Sequence, residues 1–363
     1  MFYVPFEMRV AIDARHLGRG RGIARYVEQM LIALVDRFPD DEWVAVVPGH
    51  RPVSVPNAAE LQRTRLPSRP LYAAAAISGS PRLDELAGGS DVCWIPAPAP
   101  VALSAGKPYV LTIHDRSFEA DPSQFTRYER IWHRVARPRN LAARATEVVV
   151  ISESSLNDLV AAGWPIDPAH TTVIGAGASP SVAPAHGIPG SGRPTHLLYV
   201  GALEPRKGIE TLSAAIGKMR DDGHETPVVV VGEGRLSGLL DGLSGVRVLE
   251  RQSDTQLATL YADSIALVVP SNSEGFGSPS VEAATHCVPS VTTDLPIFRE
   301  TLGAGHLSFP ANDASALAAA LSQICADSRL RDSLGEAAAA AVSGRTWPTA
   351  AEHLHSVLMR AAG

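Results

Sequence analysis

The sequence predicts a doubly wound α/β chain in two similar halves, on three observations. Apolar runs of strand length alternate with helical patterns along all 363 residues, the order that builds parallel sheets covered by helices. The runs are continuously apolar rather than alternating, as strands buried on both faces are. Near the middle, PAHGIPGSGRP at 184–194 is rich in Pro and Gly and nearly uncharged, which reads as a linker. Two Rossmann-like domains facing each other across a cleft are the expected architecture. Their bounds are 1–187 and 188–345, with a C-terminal helix from 346 expected to return to the first domain.

Each element has its local reason. MRVAID (8–13), WVAVV (43–47), DVCWI (91–95), YVLTIH (109–114) and EVVVIS (147–152) are the strands expected in the first half. HLLYVG (196–201), PVVVVG (227–232), VRVLE (246–250) and IALVVPS (265–271) are those of the second. Both halves open with a strand that runs into a glycine-bearing turn. VISESSLNDL (150–159) reads as a helix capped at Ser152 or Ser154, and TWPTAAEHLHSVLMR (346–360) as a helix started by a Thr/Pro signal.

Composition narrows the function. The net charge is −6, and it is not evenly spread. Residues 1–190 carry 19 basic and 19 acidic side chains, and the remainder carries 13 and 19. A general nucleic-acid binder would show a basic domain, and none is present. No apolar stretch reaches the length of a transmembrane helix. The start, MFYVPFEMRVAID, lacks the basic flank and apolar run of a secretory signal, and the first strand is expected near Met8. Three widely spaced cysteines, Cys93, Cys287 and Cys325, give neither a disulfide framework nor a metal pattern. A reducing cytoplasm is the expected setting.

The stretch SNSEGFGSPSVEAATHCVPS (271–290) follows an apolar run and holds Glu274 and Glu282 with seven residues between them. In open α/β sheets, ligands bind at the carboxyl ends of the strands, where Glu274 is expected. Gly275 and Gly277 let backbone approach a ligand closely. Pro279 suits the first turn of a helix, and that helix would carry Glu282. Carboxylates accept hydrogen bonds from hydroxyls, often two at once, and helix N–H groups favour anions. Two readings remain open from spacing alone: a site for a polyhydroxylated anion such as a sugar nucleotide, or a helix cap beside a solvated glutamate.

Pro270-Ser271-Asn272-Ser273-Glu274-Gly275-Phe276-Gly277-Ser278-Pro279-Ser280-Val281-Glu282-Ala283 resembles the donor-site motif of glycosyltransferase family 4, retaining enzymes of the GT-B fold. The resemblance implies that Glu274 binds hydroxyls of the donor sugar and that Glu282 binds the ribose. It also implies that the Gly275-Phe276-Gly277 segment lies against the sugar and phosphates. The first domain would then be the acceptor side and the second the nucleotide-sugar side.

YVGALEPRKGIETL (199–212) places Arg206 and Lys207 between a strand end and a helical pattern. Fixed cations stabilise the charge that builds on a departing nucleoside diphosphate. The same pair could instead solvate a helix start, although the macrodipole disfavours cations there. The family resemblance implies that the pair holds the pyrophosphate. Many members have arginine directly after the strand's glycine, where this chain has Ala202, so Arg206 supplies the second cation.

AIDARHLGRGRGIARYVEQMLIAL (11–34) is strand, glycine turn and amphipathic helix. A dinucleotide fingerprint is not satisfied, because Arg25 stands where the third glycine belongs and no acid ends the next strand. The loop is similar to the family's G-I-G-R-Y loop with Ala24 for the second glycine, which implies donor contacts for Gly22 and Arg25. In LTIHDRSFE (111–119), His114 ends a strand beside Asp115. A lone histidine of this kind is either structural or catalytic. The family's H-D pair implies contact with the donor sugar beside the reacting carbon, without a nucleophilic role.

RYERIWHRVARPRNLAAR (127–144) holds six arginines and one acid. It reads either as a solvated helix face with an apolar underside, broken at Pro138, or as a surface that docks on anionic membrane at the inner face. The resemblance covers nearly the whole chain and implies a retaining hexosyltransferase. It moves a unit, mannosyl favoured, from a nucleotide sugar to a hydroxyl of a glycan or lipid-linked acceptor. GDP-mannose is the favoured co-substrate, with no metal and no other cofactor. The alternatives are a sugar-nucleotide epimerase of the same fold, which takes no acceptor, and a non-catalytic partner subunit. A phosphorylase of this fold would need a lysine for pyridoxal phosphate, and neither Lys107 nor Lys218 is marked for one.

Overall fold

The computed structural model describes residues 8–18, 20, 22–50, 52–178 and 194–363. The linker expected at 184–194 lies outside these but for Pro194. The chain divides into two compact units, Met1–Gly177 with Thr346–Gly363, and Ala178–Arg345.

The first unit is built on a seven-stranded sheet. Its strands are β1 (Arg9–Asp13), β2 (Glu42–Pro48), β3 (Glu60–Thr64), β4 (Val92–Ile95), β5 (Tyr109–Ile113), β6 (Glu147–Val150) and β7 (Thr171–Val173). They lie in the order β3-β2-β1-β4-β5-β6-β7, and every neighbouring pair is parallel. The strand order reverses at β1, so the ends of β1 and β4 flank the switch point where such sheets bind ligands. β4, β5 and β6 are buried along their whole length, which is why their sequences are mainly apolar, with Thr112 and Glu147 the polar exceptions.

The second unit repeats the plan with six strands. They are β8 (His196–Val200), β9 (Val228–Val231), β10 (Val246–Leu249), β11 (Ser264–Val269), β12 (Ser290–Thr293) and β13 (His306–Phe309). The order is β10-β9-β8-β11-β12-β13, again parallel throughout. Its switch point lies between β8 and β11. Helix Ile209–Asp221 buries Ile209, Leu212, Ile216 and Met219 against this sheet in one core with Leu197, Val230, Val268 and Val291.

Helix Trp347–Ala362 closes the chain and packs on the first unit, against helix Ile23–Arg37 and the strands β4, β5 and β6. Thr346 caps it by accepting from the Thr349 amide at 3.2 Å, and Pro348 occupies its first turn, where a missing N–H costs nothing. It buries Trp347, Leu354, Val357 and Leu358. A Cβ on Gly177 would lie 2.3 Å from the Trp347 amide nitrogen, so only glycine lets the two segments meet. His355 stacks on Phe38 at 3.6 Å and its Nε2 lies 2.8 Å from Asp41 Oδ2. Asp41 also accepts from the Met8 amide at 2.9 Å, which ties the final helix to the start of β1.

Candidate functional site

In the second unit, the predicted residues gather at the carboxyl ends of two adjacent strands. β8 ends at Val200 and runs through Gly201 into a 3-10 turn, Pro205–Lys207. β11 ends at Val269 and leads to Glu274. The two loops are latched together, since the Asn272 amide donates to the Arg206 carbonyl at 2.9 Å. Gly208 makes this approach possible. It has φ 68°, and a Cβ there would fall 1.9 Å from the Pro270 carbonyl oxygen. The neighbouring loop after β9 is equally tight, because a Cβ on Gly232 would fall 1.8 Å from the Gly201 oxygen.

Lys207 and Glu274 are brought into direct contact, with Lys207 Nζ 2.5 Å from Glu274 Oε1. The same carboxylate oxygen accepts from Ser271 Oγ at 2.7 Å. Both charged side chains are mostly buried, at 16% and 11% exposure. A part-buried ion pair is retained only where hydrogen bonds satisfy it, and Ser271 supplies one. Arg206 is half-buried beside them. Among the described residues its guanidinium has no ion-pair partner, so its charge is available to an anion. Tyr199 reports the local field: burial first, and then the Glu274 charge, hold its phenol well above the usual range, while Arg206 opposes. The phenol stays protonated and donates to the Ala202 carbonyl at 2.8 Å.

Glu282 lies on helix Ser278–Ala284, whose cap is Gly277 at φ 75°. A Cβ on Gly277 would press on the Phe298 ring at 2.9 Å. Glu282 is held by Tyr261, whose hydroxyl donates to Oε2 at 3.0 Å. His286 stacks on the Tyr261 ring at 5.7 Å. Gly275 and Phe276 are buried, and the Phe276 ring sits under the Arg345 guanidinium at 5.9 Å. The side chain of Phe276 therefore packs the loop, and what this segment offers a ligand is backbone. The reading of Glu274 as a plain helix cap does not describe the structure, because its carboxylate bonds Lys207 and Ser271.

In the first unit, His114 follows β5 directly. Its Nε2 lies 2.8 Å from the Pro96 carbonyl oxygen. A carbonyl only accepts, so Nε2 carries the proton and Nδ1 of the neutral ring is an acceptor. Burial lowers the pKa of the ring, opposed by the Pro96 contact and by Asp115, which keeps it neutral near pH 7. The Tyr26 ring meets it edge-on at 4.9 Å. Asp115 is occupied by Ser117, accepting from its amide at 2.9 Å and its hydroxyl at 2.6 Å. Gly22 caps helix Ile23–Arg37 at φ 68°, and Arg25 falls in the first turn of that helix.

Sequence reasoning missed two partners and one network. Ser271 and Tyr261 hold the two glutamates; Ser271 stands inside the quoted motif but was given no role of its own, and Tyr261 comes from a separate helix with no spacing signal. At the end of β1, Asp13 and Arg15 are both buried and paired, Tyr72 donates to Asp13, and Arg15 also donates to the Ala97 and Pro98 carbonyls at 2.9 and 3.1 Å. This network pins the loop after β1 to the loop after β4. An Asp-Ala-Arg triplet directly after the apolar run Val10-Ala11-Ile12 was the available signal. Among the described residues, no group of three or more His, Cys, Asp or Glu side chains is arranged to hold a metal ion.

Residues 187–341 match the family model described as Glycosyl transferases group 1. The chain is 35% identical over 112 residues to the serotype-specific mannosyltransferase WbdA of Escherichia coli, covering 28% of this chain and 14% of that protein. It is 29% identical over 246 residues to a glycogen synthase of Mycobacterium tuberculosis, covering 64% of this chain and 59% of that protein. The chain thus spans less than two thirds of the length of either relative. The sucrose-phosphate synthase of Thermosynechococcus elongatus superposes with TM-score 0.72 at 19% identity, covering 98% of this chain and 99% of the other. The fold is GT-B, and its second unit carries the group 1 glycosyltransferase pattern.

Proposed function

We propose that the chain is a retaining glycosyltransferase of the family 4 kind, moving a hexosyl unit from a nucleotide sugar to a hydroxyl of a glycan or lipid-linked acceptor. The observation that carries the reading is the Lys207–Glu274 contact at 2.5 Å with Arg206 beside it. In this reading a cation pair and a sugar-binding carboxylate stand at the switch point of the second sheet. Departure of a nucleoside diphosphate leaves negative charge on its oxygens, and preorganised cations are strongest in a part-buried setting. The acceptor hydroxyl attacks the anomeric carbon from the face that the diphosphate leaves. The carbon–oxygen bond to phosphate breaks, the new glycosidic bond forms, and the hydroxyl proton passes to a departing phosphate oxygen.

In this reading Glu282 binds the ribose and Tyr261 orients it, while Glu274 holds the sugar hydroxyls. The Gly275-Phe276-Gly277 backbone lies against the sugar and phosphates. His114 offers Nδ1 as an acceptor for a ligand hydroxyl. A mannosyl donor, GDP-mannose, is favoured by the likeness to the Escherichia coli mannosyltransferase. The cations come from Arg206 and Lys207, so the reaction runs without a metal or other cofactor.

A thermal-shift panel of nucleoside diphosphates tests the donor. A ligand at 100 times its dissociation constant stabilises by about 2.7 kcal/mol, enough to rank the bases, and GDP should rank first. Product mass with and without a glycan acceptor then separates transfer from epimerisation, and EDTA should leave the rate unchanged. No shift with any nucleoside diphosphate would end the reading.

A further inference from the structure

Helix Arg127–Ala136 turns apolar side chains outward. Tyr128, Ile131 and Val135 are 48%, 60% and 42% exposed, and Arg127, Arg130 and Arg134 are exposed with them. At about 100° per residue, Arg130, Arg134, Arg127, Ile131, Val135 and Tyr128 follow one another around a single arc. The opposite arc packs inward. Ala136 is buried, His133 stacks on Phe118 at 4.3 Å, and Trp132 meets the Tyr72 ring edge-on at 5.3 Å. A merely solvated face would put Ile131 and Val135 underneath, and they are on top.

The charges on this surface are of one sign. The Arg69 guanidinium, from helix Ser68–Ser78, lies over the Tyr128 ring at 4.6 Å. Arg137 ends the helix at φ 47° and is exposed. The helix has one acid, Glu129, and its carboxylate is engaged in the cap, accepting from the Thr126 amide and hydroxyl at 2.7 Å each. Among the described residues, Arg127, Arg130, Arg134 and Arg137 have no ion-pair partner.

We infer that this face docks on an anionic lipid surface, with Ile131, Val135 and Tyr128 entering the headgroup boundary and the arginines meeting lipid phosphates. The helix is ten residues, about 15 Å, so it lies on a bilayer rather than crossing one, and no described helix is long and apolar enough to cross. A second copy of the chain fits poorly, because a twofold contact would set these unpaired arginines against their own counterparts. Nucleic acid would leave Ile131 and Val135 without apolar contact.

Co-sedimentation of the full chain with lipid vesicles tests this, and it reads nothing from the donor site, so its result and that of the nucleotide panel stand apart. The protein should pellet with vesicles containing phosphatidylglycerol, far less with phosphatidylcholine alone, and less again as salt is raised. Arg130→Gln and Arg134→Gln should each weaken binding about fivefold. Ile131→Ser should weaken it about tenfold, with unchanged melting temperature because the side chain is exposed. Equal binding to both vesicle types, no binding to either, or wild-type binding by Ile131→Ser would overturn the inference. So would a concentration-dependent dimer that Ile131→Ser abolishes, which would give the face to a second copy.

Discussion

Lys207 donates to Glu274 across 2.5 Å of space and 67 residues of sequence, and Ser271 donates to the same oxygen. The pair forms because β8 and β11 are neighbours in the sheet although they are separated by two strands in the chain. A cation assigned to phosphate and a carboxylate assigned to sugar hydroxyls therefore hold each other in place. Groups fixed by such mutual contacts cost less to order on binding.

Lys207→Ala and Arg206→Ala should each cut turnover by about 10²–10³, the scale for losing one charge-stabilising donor. They should differ in what else they do. Among the described residues, Lys207→Ala leaves a mostly buried carboxylate with Ser271 as its remaining side-chain partner, so it should also lower the melting temperature. Arg206→Ala breaks no ion pair among those residues and should not. A double-mutant cycle of Lys207→Ala with Glu274→Gln should show strong coupling in stability, as residues in contact do. Additive melting shifts would mean that the contact contributes nothing.

Glu274 and Glu282 should fail differently, because they are assigned to different rings. Glu282→Gln should weaken binding of the free nucleoside diphosphate, since hydrogen bonds to a charged group contribute about 1.5–3 kcal/mol. Tyr261→Phe should reproduce part of that loss, because it removes the donor that orients the carboxylate at 3.0 Å. Glu274→Gln, whose amide oxygen can still accept from Lys207, should cost diphosphate affinity less than Glu282→Gln does and should chiefly lower turnover of the complete sugar nucleotide, where ring orientation sets the attack geometry. Calorimetry with the diphosphate and steady-state kinetics on all three variants decide it. Equal loss of affinity in Glu274→Gln and Glu282→Gln would remove the assignment of one acid to each ring.

Nine of the thirteen described strands were legible as mainly apolar runs; β9, Val228–Val231, buries all four of its residues, whereas β10, Val246–Leu249, was legible from its valines and leucine although it is an edge strand with none of its residues buried. The other four lack that signal for physical reasons. β3 and β13 are edge strands that expose polar side chains in Glu60-Leu61-Gln62-Arg63-Thr64 and His306-Leu307-Ser308-Phe309. β7 is a half-buried edge of three residues. β12 is fully buried, but as Ser290-Val291-Thr292-Thr293, and three hydroxyl side chains hid it. The site was legible where chemistry is written in local spacing, as in Glu274 to Glu282. It was illegible where topology makes the contact, as between Tyr261 and Glu282 or Lys207 and Glu274.

Stability should fall in mild acid before the carboxylates titrate. His114, His133, His196, His286 and His306 all have their pKa lowered, in each case chiefly by burial. The unfolded chain titrates these rings near 6.5, so below that pH it binds protons that the folded state resists. The stability from their neutral burial is complete above about pH 6.5 and is lost as pH falls through the lowered folded values. Glu119, paired with Arg139, shifts downward as a carboxylate, so its contribution is present above its unfolded pKa near 4.3 and is lost at lower pH. Melting temperature should therefore be flat from pH 8 to 7 and decline from about pH 6.5 to 5. An unchanged value at pH 5 would show that these rings are solvated in the folded protein.

Two glycines close together in the chain, Gly208 and Gly217, should respond in opposite directions to the same substitution. Gly208 sits at φ 68°, and an added Cβ would fall 1.9 Å from the Pro270 oxygen and 2.7 Å from its carbon, both rigid backbone. Gly208→Ala must push the 3-10 turn away from the β11 loop, which stretches the Asn272 to Arg206 hydrogen bond and pulls Lys207 from Glu274. A loss of at least about 2 kcal/mol is expected, from a strained backbone and a broken buried contact. Turnover should fall with it, because Lys207 is the adjacent residue. Gly217 lies inside helix Ile209–Asp221, and a Cβ there would have nothing within 4 Å. Gly217→Ala removes backbone freedom from the unfolded chain and meets no obstacle, so it should stabilise by about 0.5–1 kcal/mol. For a domain of this size that is a rise of roughly 2–4 °C per kcal/mol, with turnover unchanged. If Gly208→Ala melts like the wild type and keeps its activity, the close approach of the two loops is not what holds Lys207 against Glu274.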